Sequence, residues 1–257
     1  MSTNKNAITT IGVIPARYAS SRFPGKPLAK ILGKPMIEWV YERASRAKYL
    51  NRVIVATDDR RIYDAVENFG GQVVMTSPKA ANGTERVAEV ARELDASLIV
   101  NIQGDEPAID PETIDQLVTL MKDNSDAPMG TLVKRINNVA DLGNPNIPKV
   151  VIDHDFYALY FSRSVIPFFR DEPLQEQWIE RADYYQHLGL YIYRREFLLK
   201  FVTLPISKCE RLEQLEQLRV LENGYKIKVA LTEANSIGVD IPEDIEKVAS
   251  YLNSLQV

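Results

Sequence analysis

The loop IPARYASSRFPGKPL, residues 14–28, gathers basic side chains directly after a short apolar run. Arg17, Arg22 and Lys26 carry positive charge, and Gly25 lets a ligand approach the backbone closely. Guanidinium and ammonium groups bind phosphate oxygens through charge-assisted hydrogen bonds. The loop therefore predicts an anion site suited to a triphosphate. The alternative is a solvated surface loop without a ligand.

The known phosphate-binding motifs do not describe this loop. Gly25-Lys26 lacks the Ser or Thr that follows the lysine of a Walker A loop, and a G-x-G-x-x-G fingerprint is absent. The expected anion site is therefore neither a P-loop nor a dinucleotide fingerprint.

Two carboxylates follow apolar runs elsewhere in the chain. Asp105 lies in NIQGDEP after an apolar LIV run, and Asp240 lies in GVDIPEDI before a helix. Magnesium is often held by one or two carboxylates while substrate phosphates complete its coordination. If the two carboxylates meet at strand ends, they predict a Mg²⁺ site. Alternatively, Asp105 forms a turn and Asp240 caps the helix in which Pro242 occupies the first turn.

Other polar residues have both functional and structural interpretations. In NGTERV, Thr84 can cap a helix, whereas Arg86 in the first turn opposes the helix dipole, which favours a ligand role over a structural one. His187 alternates with apolar residues in a strand and is either a buried structural histidine or a catalytic one. Glu216 and Gln217 lie on an amphipathic helix, whose solvated face is their default position.

The composition excludes several classes of protein. The 257 residues carry a formal net charge of −4, so a general nucleic-acid binder is not expected. No apolar run reaches the roughly 20 residues of a membrane span, and the N-terminal segment does not resemble a signal peptide. A single cysteine is typical of a reducing compartment. We therefore expect a cytoplasmic protein without membrane insertion.

The elements that must position these groups alternate in the first half of the chain. Continuous apolar strands separated by helices predict a parallel sheet covered on both faces, which collects ligands at the carboxyl ends of its strands. The strands are expected at 11–15, 52–58, 72–76 and 97–105, and Pro111 is expected to open the helix after the last of them.

The second half has a different pattern. Strands at 129–136, 149–153, 156–162 and 187–193 follow one another without long helices, and a helix over 209–223, a further strand and a final helix complete the chain. The leucines at 212, 215, 218 and 221 predict one apolar stripe on the first of these helices. We expect a single α/β domain over residues 1–257, with an antiparallel lobe at about 130–195.

Eight segments together resemble one family, the 3-deoxy-manno-octulosonate (Kdo) cytidylyltransferases, also called CMP-Kdo synthetases. The resemblance runs from about residue 10 to residue 252, and the order and spacing of the segments make it specific. They are IPARYASSRFPGKPL, VATDD, NGTERVAEV, NIQGDEP, ALYFSRSVIP, HLGLYIYR, LEQLRVL and GVDIPEDI.

The resemblance implies a nucleotide-diphospho-sugar transferase fold, with a Rossmann-like half, a mixed sheet and a smaller lobe for sugar binding and dimerisation. It implies CMP transfer from CTP to Kdo with release of pyrophosphate, which activates Kdo for lipopolysaccharide assembly. It also implies dependence on Mg²⁺ and a homodimer.

The family's site residues transfer onto matching positions of this sequence. The resemblance implies that Arg17, Lys26, Asp105 and Asp240 are catalytic, and that Asp105 and Asp240 are the metal ligands. The nucleotide would be bound by Pro15, Ala16, Arg17, Ser20, Ser21, Lys26, Arg86 and Gln103. The Kdo pocket would be lined by Gln103, Arg163, His187, Tyr191, Glu216 and Gln217. Arg22 has no assigned role.

Three positions depart from the family pattern: Asn82 stands where many members have Ser, Lys208-Cys209 replaces Pro-Leu, and Ile241 replaces Thr. The first two lie near the expected ligand region and leave the choice of sugar open. The alternatives are a cytidylyltransferase for 8-amino-Kdo or for a sialic acid, and a glycosyltransferase that uses a nucleotide-sugar. A non-catalytic nucleotide-sensing module is a further alternative, which the intact Lys26 and both carboxylates disfavour.

Overall fold

The computed structural model describes residues 8–19, 23–172, 177–235 and 237–255. Its strands are β1 Thr10–Ala16, β2 Lys30–Ile31, β3 Lys34–Pro35, β4 Arg52–Thr57, β5 Val73–Met75, β6 Leu98–Asn101, β7 Met129–Arg135, β8 Lys149–Ile152, β9 Ala158–Ser162, β10 Tyr185–Arg194 and β11 Ile227–Leu231. Its helices are α1 Met36–Ala44, α2 Arg60–Asn68, α3 Gly83–Arg92, α4 Pro111–Asp123, α5 Val139–Gly143, α6 Trp178–Arg181, α7 Arg195–Phe201, α8 Lys208–Glu213, α9 Leu218–Glu222 and α10 Asp244–Ser254. A short 3-10 helix spans Lys26–Leu28.

The chain divides into two compact units. Unit 1 comprises Met1–Val118, Ile192–Val202 and Asn235–Val257, and unit 2 comprises Thr119–Tyr191 and Thr203–Ala234. The sequence predicted one domain with a lobe at about 130–195, and that assignment stays a prediction. Among the described residues, no helix combines the length and the hydropathy that crossing a bilayer requires.

Unit 1 contains the predicted parallel sheet. Strand β1 pairs in parallel with β4 and with β6, and β4 pairs in parallel with β5. The interior strand β1 is buried at six of its seven positions, because neighbouring strands flank both of its edges and helices cover the sheet. Pro111 opens α4 as predicted. These pairings bring the carboxyl ends of β1, β4 and β6 to one edge.

Unit 2 combines parallel and antiparallel pairs. Strand β11 pairs in parallel with β7, whereas β8 pairs antiparallel with β9 and with β10. With the parallel strands of unit 1, these pairs confirm the predicted mixed α/β class.

The predicted helix over 209–223 is wrong, because the chain forms two short helices there. Gln214 ends α8 in the left-handed region, at φ 53°, and α9 begins only at Leu218. Leu215 and Leu218 are buried, but Leu212 is 75% exposed, so the leucine stripe does not continue through both helices. The carboxylate of Glu213 supplies a reason for the break, since it accepts hydrogen bonds from Ser162 and from the backbone of Arg163.

The final helix also begins later than the sequence predicted. Helix α10 starts at Asp244, so Pro242 precedes it instead of occupying its first turn. Asp240 is therefore not its N-cap; the Asp240 backbone N–H instead donates to the Asp244 carboxylate at 2.9 Å. The predicted stripe is correct, since Val248 and Leu252 are buried and Ile245 and Ala249 pack against the same cluster.

Candidate functional site

A cavity of about 290 Å³ lies in unit 1 where strands β1 and β6 end. Gly104 makes its wall possible, since a Cβ at this position would stand 2.7 Å from the carbonyl oxygen of Pro15. The cavity is lined by all the predicted nucleotide residues that the structure describes, and by the proposed metal ligand Asp105. The nucleotide residues are Pro15, Ala16, Arg17, Lys26, Arg86 and Gln103. Ser20 and Ser21, as well as Arg22, lie outside the described residues.

Lys26 forms a hydrogen-bonded ion pair with Asp105, whose carboxylate the sequence predicts as a metal ligand. Its Nζ donates to Asp105 Oδ2 at 2.7 Å and to the carbonyl oxygen of Val239 at 2.7 Å. The backbone N–H of Val239 in turn donates to the carbonyl oxygen of Asp105 at 2.8 Å. The lysine side chain is 14% exposed and that of Asp105 37%. Lys26 thus ties the loop after β6 to the segment that precedes α10.

Asp240, the second predicted metal ligand, directly follows Val239 in this segment and is exposed. Its backbone N–H lowers the pKa of Asp244 by hydrogen bonding to that carboxylate, with Ile241 and Lys247 adding smaller effects against desolvation. In the part of the chain that the structure describes, no cluster of three or more His, Cys, Asp or Glu side chains could hold a metal ion. Any metal here would need ligands beyond these carboxylates.

Arg86 occupies the first turn of α3, where the helix dipole disfavours a cation. It is 3% exposed, its Nη2 lies 2.9 Å from Asp58 Oδ2, and its Nη1 donates to the hydroxyl of Thr76. The ion pair with Asp58, directly after β4, compensates the charge. Arg86 therefore combines a structural ion pair with a position in the cavity wall.

Asn82 and not Thr84 caps α3, which corrects the expectation from the sequence. The Asn82 side chain accepts from the backbone N–H of Glu85 at 2.8 Å, and the Glu85 carboxylate accepts from the N–H of Ala81 at 2.8 Å. Thr84 is buried instead and accepts a hydrogen bond from Asn101 at 3.3 Å. Position 82, a departure from the family pattern, thus keeps a residue type that caps helices well.

The sequence did not indicate an aromatic contact that the basic loop makes through Tyr18. The guanidinium of Arg61 lies 3.3 Å from the centroid of the Tyr18 ring. Gly25, at φ 72°, donates its N–H to the carbonyl of Tyr18 at 2.9 Å, and a Cβ on Gly25 would stand 3.0 Å from the tyrosine ring. Gly25 thus serves close packing within the loop, at a backbone angle that favours glycine.

His187, in unit 2, is a buried neutral histidine. Thr131 donates its hydroxyl proton to the carbonyl of Leu190 at 2.8 Å, so its oxygen accepts from His187 Nε2 at 3.0 Å, which assigns the proton to Nε2. The rings of Phe161 and Tyr191 lie 5.1 and 5.2 Å from the imidazole. Burial lowers the pKa of His187 to about 3, because desolvation disfavours the charged ring.

Arg163 donates to backbone carbonyl groups in unit 2. Its Nε donates to Glu213 O at 2.6 Å, its Nη1 to Pro145 O at 2.9 Å and its Nη2 to Gln214 O at 3.4 Å. These bonds hold the chain where α8 ends. The guanidinium therefore has an internal structural role, and its predicted contact with the sugar stays a prediction.

The remaining predicted sugar residues of unit 2 lie around the break between α8 and α9. Burial raises the pKa of Tyr191, and the nearby charge of Glu216 adds to the shift. Gln217 is 2% exposed, and its Nε2 has no hydrogen-bond partner in the described part of the chain. A buried amide donor of this kind is suited to a polar ligand. The sequence had assigned Glu216 and Gln217 by default to a solvated helix face, which is wrong for the buried Gln217.

Comparison with known proteins identifies related sequences and folds. A profile of the cytidylyltransferase family matches residues 11–227. The 3-deoxy-manno-octulosonate cytidylyltransferase of Syntrophotalea carbinolica is 53% identical over 245 residues, which cover 95% of this chain and 98% of that protein. The structure of a CMP:2-keto-3-deoxy-manno-octonic acid synthetase complexed with CTP is 42% identical and has a TM-score of 0.90, covering 96% of this chain and 99% of that one.

A more distant structure shares the fold alone. The 4-diphosphocytidyl-2C-methyl-D-erythritol synthase of Anaerococcus prevotii is 15% identical, with a TM-score of 0.63 and 96% of each chain covered. These likenesses confirm the predicted nucleotide-diphospho-sugar transferase fold and the resemblance on which that prediction rested.

Proposed function

The chain belongs to the cytidylyltransferase family, and we propose that it transfers CMP from CTP to Kdo, giving CMP-Kdo and pyrophosphate. The observation that carries the proposal is the cavity of unit 1, which Arg17, Lys26 and Asp105 line where parallel strands end. The names of the 53% identical relative and of the 42% identical structure with CTP support this choice of substrates.

The reaction requires no nucleophile from the protein. The 2-hydroxyl of Kdo attacks the α-phosphorus of CTP and loses its proton to water. The new O–P bond forms as the bond to the departing pyrophosphate breaks. Positioning and charge neutralisation supply most of the rate enhancement in such transfers. Arg17 and Lys26 would neutralise phosphate oxygens, and Arg86 and Gln103 would orient the nucleotide from the cavity wall. Arg163, His187, Tyr191, Glu216 and Gln217 remain the proposed sugar residues.

Magnesium is the proposed cofactor, held by Asp105 and Asp240. The donor set fits, because Mg²⁺ binds through one or two carboxylates together with substrate phosphates. In addition, the Lys26 ammonium already occupies a cation position between Asp105 and the carbonyl of Val239. When bound, Mg²⁺ would polarise the α-phosphate and neutralise the leaving pyrophosphate.

A pyrophosphate-release assay tests the function. The protein is incubated with CTP and Mg²⁺ and with Kdo, 8-amino-Kdo or a sialic acid in parallel. We expect the fastest release with Kdo. Faster release with either other sugar would move the assignment to that sugar, and no release with any of them would exclude the transferase and favour a nucleotide-sensing module.

The proposal also includes a homodimer and a cytoplasmic location, where CMP-Kdo would serve lipopolysaccharide assembly. Exposed leucines on unit 2 fit an interface, since Leu159 is 58% and Leu212 75% exposed. The single cysteine fits a reducing compartment. Size-exclusion chromatography with light scattering tests the dimer: we expect twice the 29.1 kDa chain mass, and a monomer would overturn it.

A further inference from the structure

The cation that contacts Asp105 in this structure is a side chain of the protein itself. The Lys26 ammonium lies 2.7 Å from Asp105 Oδ2 and 2.7 Å from the carbonyl oxygen of Val239. A carboxylate oxygen and a backbone carbonyl are oxygen donors of the kind that a hard divalent cation selects. The Lys26 ammonium therefore occupies a position that resembles a metal site. Val239, which supplies the carbonyl, directly precedes the second proposed ligand, Asp240.

A divalent cation that reached Asp105 with Lys26 in this position would meet an ammonium group at close range. Like charges a few ångströms apart repel strongly where the surroundings are partly desolvated. The Lys26 side chain is only 14% exposed, so water screens this repulsion weakly. Metal binding at Asp105 is therefore disfavoured while the ammonium contacts the carboxylate.

A triphosphate in the adjacent cavity supplies the reason for the ammonium to leave. Lys26, Arg17 and Asp105 all line the same cavity of about 290 Å³. The phosphate chain carries more negative charge than one carboxylate, and the lysine stem is long and rotatable. The ammonium can therefore exchange Asp105 for phosphate oxygens without a movement of the backbone.

We propose that Lys26 makes metal binding conditional on nucleotide: it holds the cation position at Asp105 until a nucleoside triphosphate draws it away. This inference rests on the proposed function, because it takes CTP and Mg²⁺ as ligands of the cavity. It adds an order of events, in which the divalent ion binds productively with the nucleotide and not before it.

The test measures binding of Mn²⁺, as a paramagnetic substitute for Mg²⁺, by the EPR signal of the free ion and without sugar. For the unaltered protein without nucleotide we expect weak binding. For Lys26→Met without nucleotide we expect at least tenfold tighter binding, because the competing charge is gone. A non-hydrolysable CTP analogue should tighten Mn²⁺ binding to the unaltered protein and remove most of the difference between the two proteins.

Three controls locate the effect. Lys30→Met removes an exposed lysine nearby and should leave Mn²⁺ binding unchanged. The double variant Lys26→Met, Asp105→Asn should lose the gained affinity, which assigns it to Asp105. Circular dichroism checks folding, and Lys26→Gln makes the same comparison if Lys26→Met does not fold.

Two results would overturn the inference: tight Mn²⁺ binding to the unaltered protein without nucleotide, or equal binding to the unaltered and Lys26-substituted proteins. Neither depends on turnover. A protein that releases pyrophosphate from CTP and Kdo but gives either result keeps the proposed function and loses only the inference. Conversely, the expected Mn²⁺ pattern without pyrophosphate release would retain the coupling and exclude the transferase.

Discussion

The cavity of unit 1 and the surroundings of His187 in unit 2 differ in whether their side chains carry charge. In the cavity, charged side chains form ion pairs: Lys26 lies 2.7 Å from Asp105, and Arg86 lies 2.9 Å from Asp58. In unit 2, His187 is buried among aromatic rings, and burial lowers its pKa to about 3, so the ring is neutral. The cavity of unit 1 therefore contains paired charged side chains, whereas the surroundings of His187 disfavour a charged ring.

The difference shows what each region can contribute to a reaction. Ion pairs at strand ends can exchange their partners for phosphate and metal, so the cavity is suited to a highly charged ligand. A neutral imidazole held by Thr131 cannot act as a cation at ordinary pH; it can only donate or accept hydrogen bonds. The aromatic and amide groups of unit 2 are therefore suited to shape and hydroxyl recognition.

The largest effect is expected from Asp105→Asn. This change removes the charge that Lys26 contacts and that the proposed metal needs, so we expect turnover to fall at least about 10³-fold, since a lost metal ligand costs several kcal/mol of transition-state stabilisation. The free energy of unfolding should change by only about 1 kcal/mol, because the carboxylate is partly exposed. Pyrophosphate release and urea unfolding measure the two quantities.

The matched control is Asp95→Asn, which removes an exposed carboxylate elsewhere in unit 1. It should retain full turnover. Normal turnover in Asp105→Asn would remove this carboxylate from the metal site and break the contrast between the two regions.

An intermediate effect is expected from Arg163→Met. The change removes a charged donor from the backbone carbonyls of Glu213, Pro145 and Gln214. We expect the free energy of unfolding to fall by about 1–3 kcal/mol, because carbonyls near the end of α8 lose their donor. Arg170→Met, which replaces an exposed arginine, is the control. Unchanged unfolding together with a raised KM for Kdo would make Arg163 a ligand residue instead of a clamp.

The smallest effect is expected from the pH dependence of stability between pH 6.5 and 5. His187 has a pKa of about 3 in the folded protein and an ordinary value near 6.5, so between these values the unfolded chain binds a proton that the folded protein does not. The free energy of unfolding should therefore decrease as the pH falls below 6.5, by up to about 1.4 kcal/mol per pH unit from this group.

His187→Gln checks this assignment, because a neutral amide can still donate to Thr131 but does not titrate. Its free energy of unfolding should fall less steeply from pH 6.5 to 5 than that of the unaltered protein. His154→Gln, at an exposed position, should keep the original slope. Identical slopes in all three proteins would mean that His187 is not buried as a neutral ring.

Much of unit 1 was predictable because its strands and helices follow from residue patterns within short segments of the chain. Continuous apolar runs predicted the parallel strands, and the polar residues that follow them predicted the cavity edge. The break between α8 and α9 was not predictable in this way. It depends on Glu213 bonding to Ser162 and Arg163, about fifty residues earlier in the chain, while the leucine spacing still indicated a continuous helix.

The sequence by itself determined the family, the mixed α/β class and the set of charged groups at the strand ends, because strand periodicity and motif order are written along the chain. Only the tertiary structure decided which of these groups are partners. Lys26 and Asp105 are 79 positions apart and Lys26 and Val239 213. These contacts arise because strand pairing and the fold of the C-terminal segment bring distant parts of the chain together. They join the basic loop to the proposed metal site.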